Sequence, residues 1–139
     1  IRWTRRDIKS VALLAQVLAK QAAAEAGAAE AWMIEDGMVT EGGSSSAFIL
    51  TQDDVLVTRQ NSNAILPGCT RKAVVALSEE RQLQVEERPF AVSEARAAKE
   101  AFATSATGSA ARKRSSSVSG MPGRRAWASW TSMRPEGSV

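Results

Sequence analysis

Four short stretches of this chain carry residues able to do chemistry. Lys9 lies in Asp7-Ile8-Lys9, where a strand-like opening gives way to a helical pattern, and side chains at such junctions project at a sheet edge, where function often sits. Glu41 precedes Gly42-Gly43 and a run of serines. Gly68-Cys69-Thr70-Arg71 opens a second helical pattern, whose free N–H groups and dipole suit an anion such as phosphate. Thr104, Ser105 and Thr107 end a strand-like stretch with hydroxyls that add donors for the same anion. Each also has an ordinary reading: a surface lysine, an exposed loop carboxylate, a plain helix start, strand-end hydroxyls.

The composition narrows the chemistry. The 139 residues contain no His and no Tyr, so a Ser-His-Asp triad, a Cys-His nucleophile and an HExxH zinc site are excluded within this chain. The single Cys69 excludes an internal disulfide framework and a cysteine-cluster metal site. An enzyme of this composition must move protons with lysine or a carboxylate, or use an organic cofactor. At 44% hydrophobic and 24% charged the chain has a globular composition, and no apolar run reaches a membrane span. The start lacks the pattern of a signal peptide; with one unpaired cysteine, this leads us to expect a cytoplasmic protein.

The elements that must position these residues alternate in type. IRWTRR reads as a short strand. Residues 11–26 read as a helix, with Leu13, Leu14, Val17, Leu18 and Gln21 on helical spacing and Gly27 as its C-terminal stop. AEAWMIED and MVTEGG flank an Asp36-Gly37 turn, and SSAFILTQ and VLVTRQ flank Asp53-Asp54. Pro67-Gly68 breaks the chain, Thr70 is placed to cap a helix over 71–81, LQVEERPF reads as one strand, VSEARAAKE as a helix from a Ser93 cap, and AFATSAT as a last strand. The pattern predicts a mixed α/β (α+β) domain.

The order and wording of these blocks carry more than any of them singly. DIKSVALLAQVLAKQAAAEAG, DGMVTEGGSSSAF, NAILPGCTRKAVV and AFATSAT resemble the larger, C-terminal domain of the fold-type IV pyridoxal-phosphate aminotransferases (class IV). The DIKS wording and the VLAKQAA helix lean toward the D-amino-acid branch. The resemblance covers about residues 1–107 and implies a mixed sheet or pseudo-barrel with packed helices. It implies that Lys9 holds pyridoxal 5'-phosphate as a Schiff base and shuttles the substrate proton. It implies that Glu41 pairs with the pyridine nitrogen, that Leu66 lies against the ring, that Cys69 and Thr70 hold the phosphate through backbone N–H groups, and that Ser105 lies near the phosphate. Ala106 stands where a hydroxyl residue is usual. The activity implied is transfer of the amino group of a D-amino acid, such as D-alanine, to a 2-oxo acid, such as 2-oxoglutarate. Branched-chain L-amino-acid aminotransferase and aminodeoxychorismate lyase are sister alternatives. The family further implies a homodimer, a smaller N-terminal domain that this stretch lacks, and no metal.

Beyond residue 107 the resemblance stops. Residues 1–107 hold 12 basic and 14 acidic residues, whereas 108–139 hold six basic residues against Glu136 alone. This Ser/Arg-rich stretch, with Trp127 and Trp130 among small residues, reads as a disordered tail, with the flavour of a GC-rich coding region read out of frame. Arg112-Lys113-Arg114 beside tryptophans leaves a nucleic-acid-binding arm as a remote alternative, against which the acidic remainder of the chain argues. Limited proteolysis is expected to cut from about residue 108 onward and spare the rest; a protease-resistant tail with slow amide exchange would refute this.

Overall fold

The computed structural model describes residues 4–11 and 13–106, together with the backbone of two strands at 111–114 and 126–130. It is a mixed α/β arrangement of two sheets with helices packed on them, and among the described residues the sheets do not close into a barrel. The expected opening strand is absent from residues 4–8, which instead turn, with the Ile8 N–H donating to the Arg5 carbonyl at 3.1 Å; residues 1–3 lie outside the described residues.

Helix α1 (Leu14–Glu25) begins three residues later than the apolar pattern suggests and has no side-chain cap. Gly27 stops it with φ +67, a backbone conformation open to glycine at little cost. Its buried face differs from the expected one. Ala15, Ala19 and Ala23, spaced i, i+4, i+8, pack on Ala31 and Met33, while Leu14 and Val17 are each 58% exposed. Methyl side chains let the helix lie close on the sheet, which leaves the leucine-rich face outward.

Strands β1 (Ala28–Glu35) and β2 (Met38–Gly42) pair antiparallel across Asp36-Gly37, both at positive φ, as a two-residue hairpin turn requires. The chain then crosses into the second sheet, where β3 (Ser46–Leu50) and β4 (Leu56–Thr58) form the expected hairpin, with Asp54 at φ +60 in its loop. Helix α2 (Cys69–Glu80) takes Gly68 as N-cap without a side-chain cap bond, so Thr70 lies inside its first turn instead of capping it. LQVEERPF divides. β5 (Val85–Glu87) pairs parallel with β4, and β6 (Phe90–Ala91) pairs antiparallel with β2 in the other sheet. Pro89, lacking an N–H, falls at the break. Helix α3 (Val92–Ala97) follows with Ala91 as N-cap, so Ser93 is not its cap, and β7 (Glu100–Thr104) pairs antiparallel with β3.

Within the expected tail, β8 (Ala111–Arg114) pairs antiparallel with β7, and β9 (Ala126–Trp130) runs parallel to β1. Those two segments depart from the expectation of disorder; the rest of the tail lies outside the described residues. The strand orders are β6-β2-β1-β9 and β5-β4-β3-β7-β8. Trp32, Val39, Ile49, Val57 and Phe90 form the core of the larger apolar cluster, in which Phe90 meets Trp32 edge-on at 5.9 Å. Among the described residues no helix is long and apolar enough to cross a membrane.

Phe90 is 1% exposed and anchors a strand of only two residues. Phe90→Ala is expected to lower the unfolding free energy by about 3–5 kcal/mol, whereas Leu14→Ala, on the outward face of α1, is expected to cost far less. Urea denaturation of both variants checks the contrast; equal losses would contradict the packing described.

Candidate active site

A cavity of about 590 Å³ opens where four separate segments meet: the loop 6–10, the turn 41–46 after β2, residues 66–71 at the start of α2, and residues 104–106 at the end of β7. The six residues to which the resemblance assigns roles, Lys9, Glu41, Leu66, Cys69, Thr70 and Ser105, line it, as does Thr104, while Thr107 lies outside the described residues. Lys9 and Cys69 are exposed, Leu66, Thr70 and Ser105 half-buried, and Glu41 is 9% exposed.

Glu41 is held in place. Its Oε2 accepts the Leu66 N–H at 2.9 Å, which ties the end of β2 to the segment leading into α2. The turn that follows is shaped by a residue that sequence reasoning missed. Glu30, half-buried on β1, accepts the Gly43 N–H at 3.2 Å through Oε1 and the Ser45 hydroxyl at 2.6 Å through Oε2, and also takes its neighbour's N–H from Ala31 at 2.9 Å. Close approach explains the glycines here. A Cβ on Gly42 would stand 1.9 Å from Ser45 Oγ, and one on Gly43 would stand 3.0 Å from Lys20 Cγ. A carboxylate inside the otherwise apolar AEAWMI run was the available signal, since such a group needs partners.

At the opposite wall, α2 presents first-turn N–H groups that the helix itself cannot satisfy, with no side chain capping them. Thr104 adds a buried hydroxyl that has no hydrogen-bond partner among the described residues. Arg71, named in the sequence only as part of the helix-opening stretch, is buried in the same wall. Its Nη2 donates to the Arg59 carbonyl at 2.8 Å and pairs with Glu87, pinning the start of α2 to β4 and β5. On the loop before Lys9, the Arg5 guanidinium hydrogen-bonds Asp7 at 2.9 and 2.8 Å and holds its carboxyl below the usual carboxylate range. No group of three or more His, Cys, Asp or Glu able to hold a metal occurs among the described residues.

The site is thus one lysine, one buried carboxylate and an anion-receptive helix start around a single cavity, on a two-sheet α/β frame. A family model for amino-transferase class IV matches residues 1–114, a span that takes in β8. The chain is 42% identical over 107 residues to a D-alanine aminotransferase of Bacillus licheniformis, covering 77% of this chain and 38% of that one. It is 39% identical over 105 residues to a D-alanine aminotransferase of Staphylococcus epidermidis, covering 76% and 37%. Among solved structures, a branched-chain amino acid aminotransferase from Thermobaculum terrenum in its PLP form superposes with a TM-score of 0.72 at 31% identity, over 78% of this chain and 36% of that one. A fold IV-transaminase from Curtobacterium pusillum superposes with a TM-score of 0.71 at 30% identity, over 77% and 37%. This chain belongs to amino-transferase class IV, and it spans well under half the length of the relatives it matches.

The Glu30 carboxylate is a testable feature of the frame. Glu30→Ala is expected to destabilise the protein by about 1–3 kcal/mol and to speed amide exchange at Gly43, with Glu30→Gln, which keeps one acceptor, losing less. Because the Gly43 N–H also donates to the Ala31 carbonyl at 3.0 Å, the deciding readout is stability: an unchanged unfolding free energy in both variants would show that the turn does not depend on this side chain.

Proposed function

We propose that residues 1–107 are the cofactor-bearing domain of a pyridoxal-phosphate-dependent D-amino-acid aminotransferase, which moves the amino group of a D-amino acid such as D-alanine to a 2-oxo acid such as 2-oxoglutarate. Residues 108–139 follow it as the basic Ser/Arg-rich stretch, of which β8 and β9 pair with the sheets. The observation that carries the reading is the convergence of Lys9, the anchored Glu41 and the uncapped start of α2 on one cavity from three distant segments. The donor set suits the cofactor: the orphan hydroxyl of Thr104 and the open N–H groups of α2 together are what a phosphate group requires.

When bound, pyridoxal phosphate supplies an electron sink that makes the amino-acid Cα–H acidic. Lys9 would hold the cofactor covalently and, once released by the substrate amine, carry the proton to and from Cα. A lysine suits both tasks because its unprotonated amine is nucleophile and base alike. Glu41 would accept a hydrogen bond from the ring nitrogen and favour its protonated form, with the Leu66 N–H steadying the carboxylate. Leu66 would lie against the ring, Cys69 and Thr70 would offer main-chain N–H groups to the phosphate, and Ser105 would sit beside it. Ala106 offers no hydroxyl, so the Thr104 hydroxyl is the neighbouring donor on this strand.

The D-amino-acid assignment follows the D-alanine aminotransferases at 37–42% identity. Solved structures of branched-chain aminotransferases, and of a putative 4-amino-4-deoxychorismate lyase, share the fold at 31% identity or less. A substrate panel on the whole protein separates these readings. We further propose a cytoplasmic homodimer whose active site is completed by a smaller domain and by the partner subunit. The outward Leu14, Val17 and Leu18 of α1 supply apolar surface for such contacts, so the 139-residue chain by itself should self-associate and turn over little substrate.

Borohydride reduction of the cofactor-loaded whole protein is expected to fix the pyridoxyl group on Lys9, read by peptide mapping. Lys9→Ala should abolish attachment and reduce turnover by at least about 10²- to 10⁴-fold, the usual contribution of a positioned proton carrier. Glu41→Gln should leave attachment intact and slow Cα–H exchange with solvent. Label on Lys20 or Lys72 instead, or an unchanged exchange rate in Glu41→Gln, would defeat the assignment.

A further inference from the structure

Arg6 is a cation in an unusual place. It lies three residues before Lys9, lines the same cavity, and is only 7% exposed. A guanidinium out of water is costly unless its donors are met, and here they reach two distant parts of the fold. Nε donates to the Ala64 carbonyl at 2.9 Å and Nη2 to Glu35 Oε2 at 2.6 Å, while the Arg6 main-chain N–H donates to the Asn63 carbonyl at 2.9 Å.

Both anchor points lead to Glu41. Asn63 and Ala64 run directly into Leu66, whose N–H holds the Glu41 carboxylate. Glu35 closes β1 opposite Met38, from which β2 runs to Glu41. The lysine-bearing loop and the carboxylate-bearing strand are therefore joined through one side chain along two routes. A flat, rigid cofactor ring that must meet an amine at one substituent and a carboxylate at its nitrogen demands a fixed spacing between Lys9 and Glu41. Neither residue can supply that spacing: Lys9 sits on an irregular loop and Glu41 on a strand of another part of the chain.

We propose that Arg6 is a positioning residue that sets Lys9 relative to Glu41, an inference that rests on the proposed roles of those two residues. It acts by cross-linking the Lys9 loop to the 63–66 segment and to the end of β1. Its role is to position, through donors directed at Ala64 and Glu35. Its charge is paired with Glu35.

The test uses the whole cofactor-loaded protein with Arg6→Met, which keeps much of the stem but loses every side-chain donor, and with Arg6→Lys and Glu35→Gln, which keep part of the bonding and the packing. Two readouts are measured beside thermal stability: the dissociation constant for pyridoxal phosphate, and the pH midpoint of the absorbance of the lysine-bound cofactor. Arg6→Met is expected to weaken cofactor binding by at least about tenfold, the scale of one lost charge-assisted hydrogen bond, and to move the pH midpoint, with Arg6→Lys restoring part of both and borohydride still labelling Lys9. Lower thermal stability with an unchanged dissociation constant and midpoint would overturn the positioning role while leaving Lys9 in place. If Arg6→Met does not fold, unchanged values in both Arg6→Lys and Glu35→Gln overturn it equally. Label on a lysine other than Lys9 in the unsubstituted protein overturns the underlying reading and this one with it.

Discussion

Between the end of β2 at Gly42 and the start of β3 at Ser46 the chain passes from one sheet to the other, and the carboxylate of Glu30 holds that crossing. Two donors of the turn, the Gly43 N–H and the Ser45 hydroxyl, converge on one side chain from the neighbouring strand, and the Gly43 N–H is shared with the Ala31 carbonyl at 3.0 Å. The Gly42 N–H closes the same turn on the Ser45 carbonyl at 2.7 Å. Much else follows from this geometry. It sets where β2 ends, hence where Glu41 points, and where β3 begins, hence the frame on which β4 and β7 assemble. A turn this tight admits no Cβ at Gly42, so its chemistry and its sequence are bound together.

Around the cavity, charge is divided between wall and floor. Arg6 and Arg71 are both buried and both line the cavity, yet each is paired with a carboxylate on a strand, Glu35 and Glu87 respectively. In both pairs the guanidinium is buried while the carboxylate stays about half exposed, so removing the carboxylate would leave a buried cation with one partner fewer. The two arginines thus brace the loop before Lys9 and the start of α2. Arg88, a half-exposed guanidinium between Glu86 and Glu94, holds Glu94 below the usual carboxylate range; solvent screening keeps the contribution of these pairs small.

Local chemistry was the legible part of this chain. Asp36-Gly37 and Gly27 announce a hairpin turn and a helix end because positive φ is a local demand met by few residue types. Alternating and helical patterns located most elements to within a few residues. The four family-like blocks picked out Lys9, Glu41, Leu66, Cys69, Thr70 and Ser105, which line one cavity. Sequence patterns reached that far because turn, cap and motif residues carry their requirement within a few positions of themselves.

What the pattern could not decide is which partner each element meets. The leucine-rich face of α1 looks like its buried face, yet it is the alanines that pack on Ala31 and Met33 of β1. LQVEERPF reads as one strand, yet its two ends belong to different sheets, a division set by where β4 and β2 lie. Arg6 is one of two adjacent arginines in the sequence, alike in type and context. Only the folded chain makes Arg5 an exposed neighbour of Asp7 and Arg6 a buried tie to residues 58 and 29 positions away. By itself the sequence determined the turns, the element types and the residues with chemical capacity, because those are short-range properties of the backbone and side chains. Burial, pairing and the bonding of Arg6 to Ala64 and Glu35 were decided by the tertiary structure alone, because they depend on contacts between segments far apart in the chain.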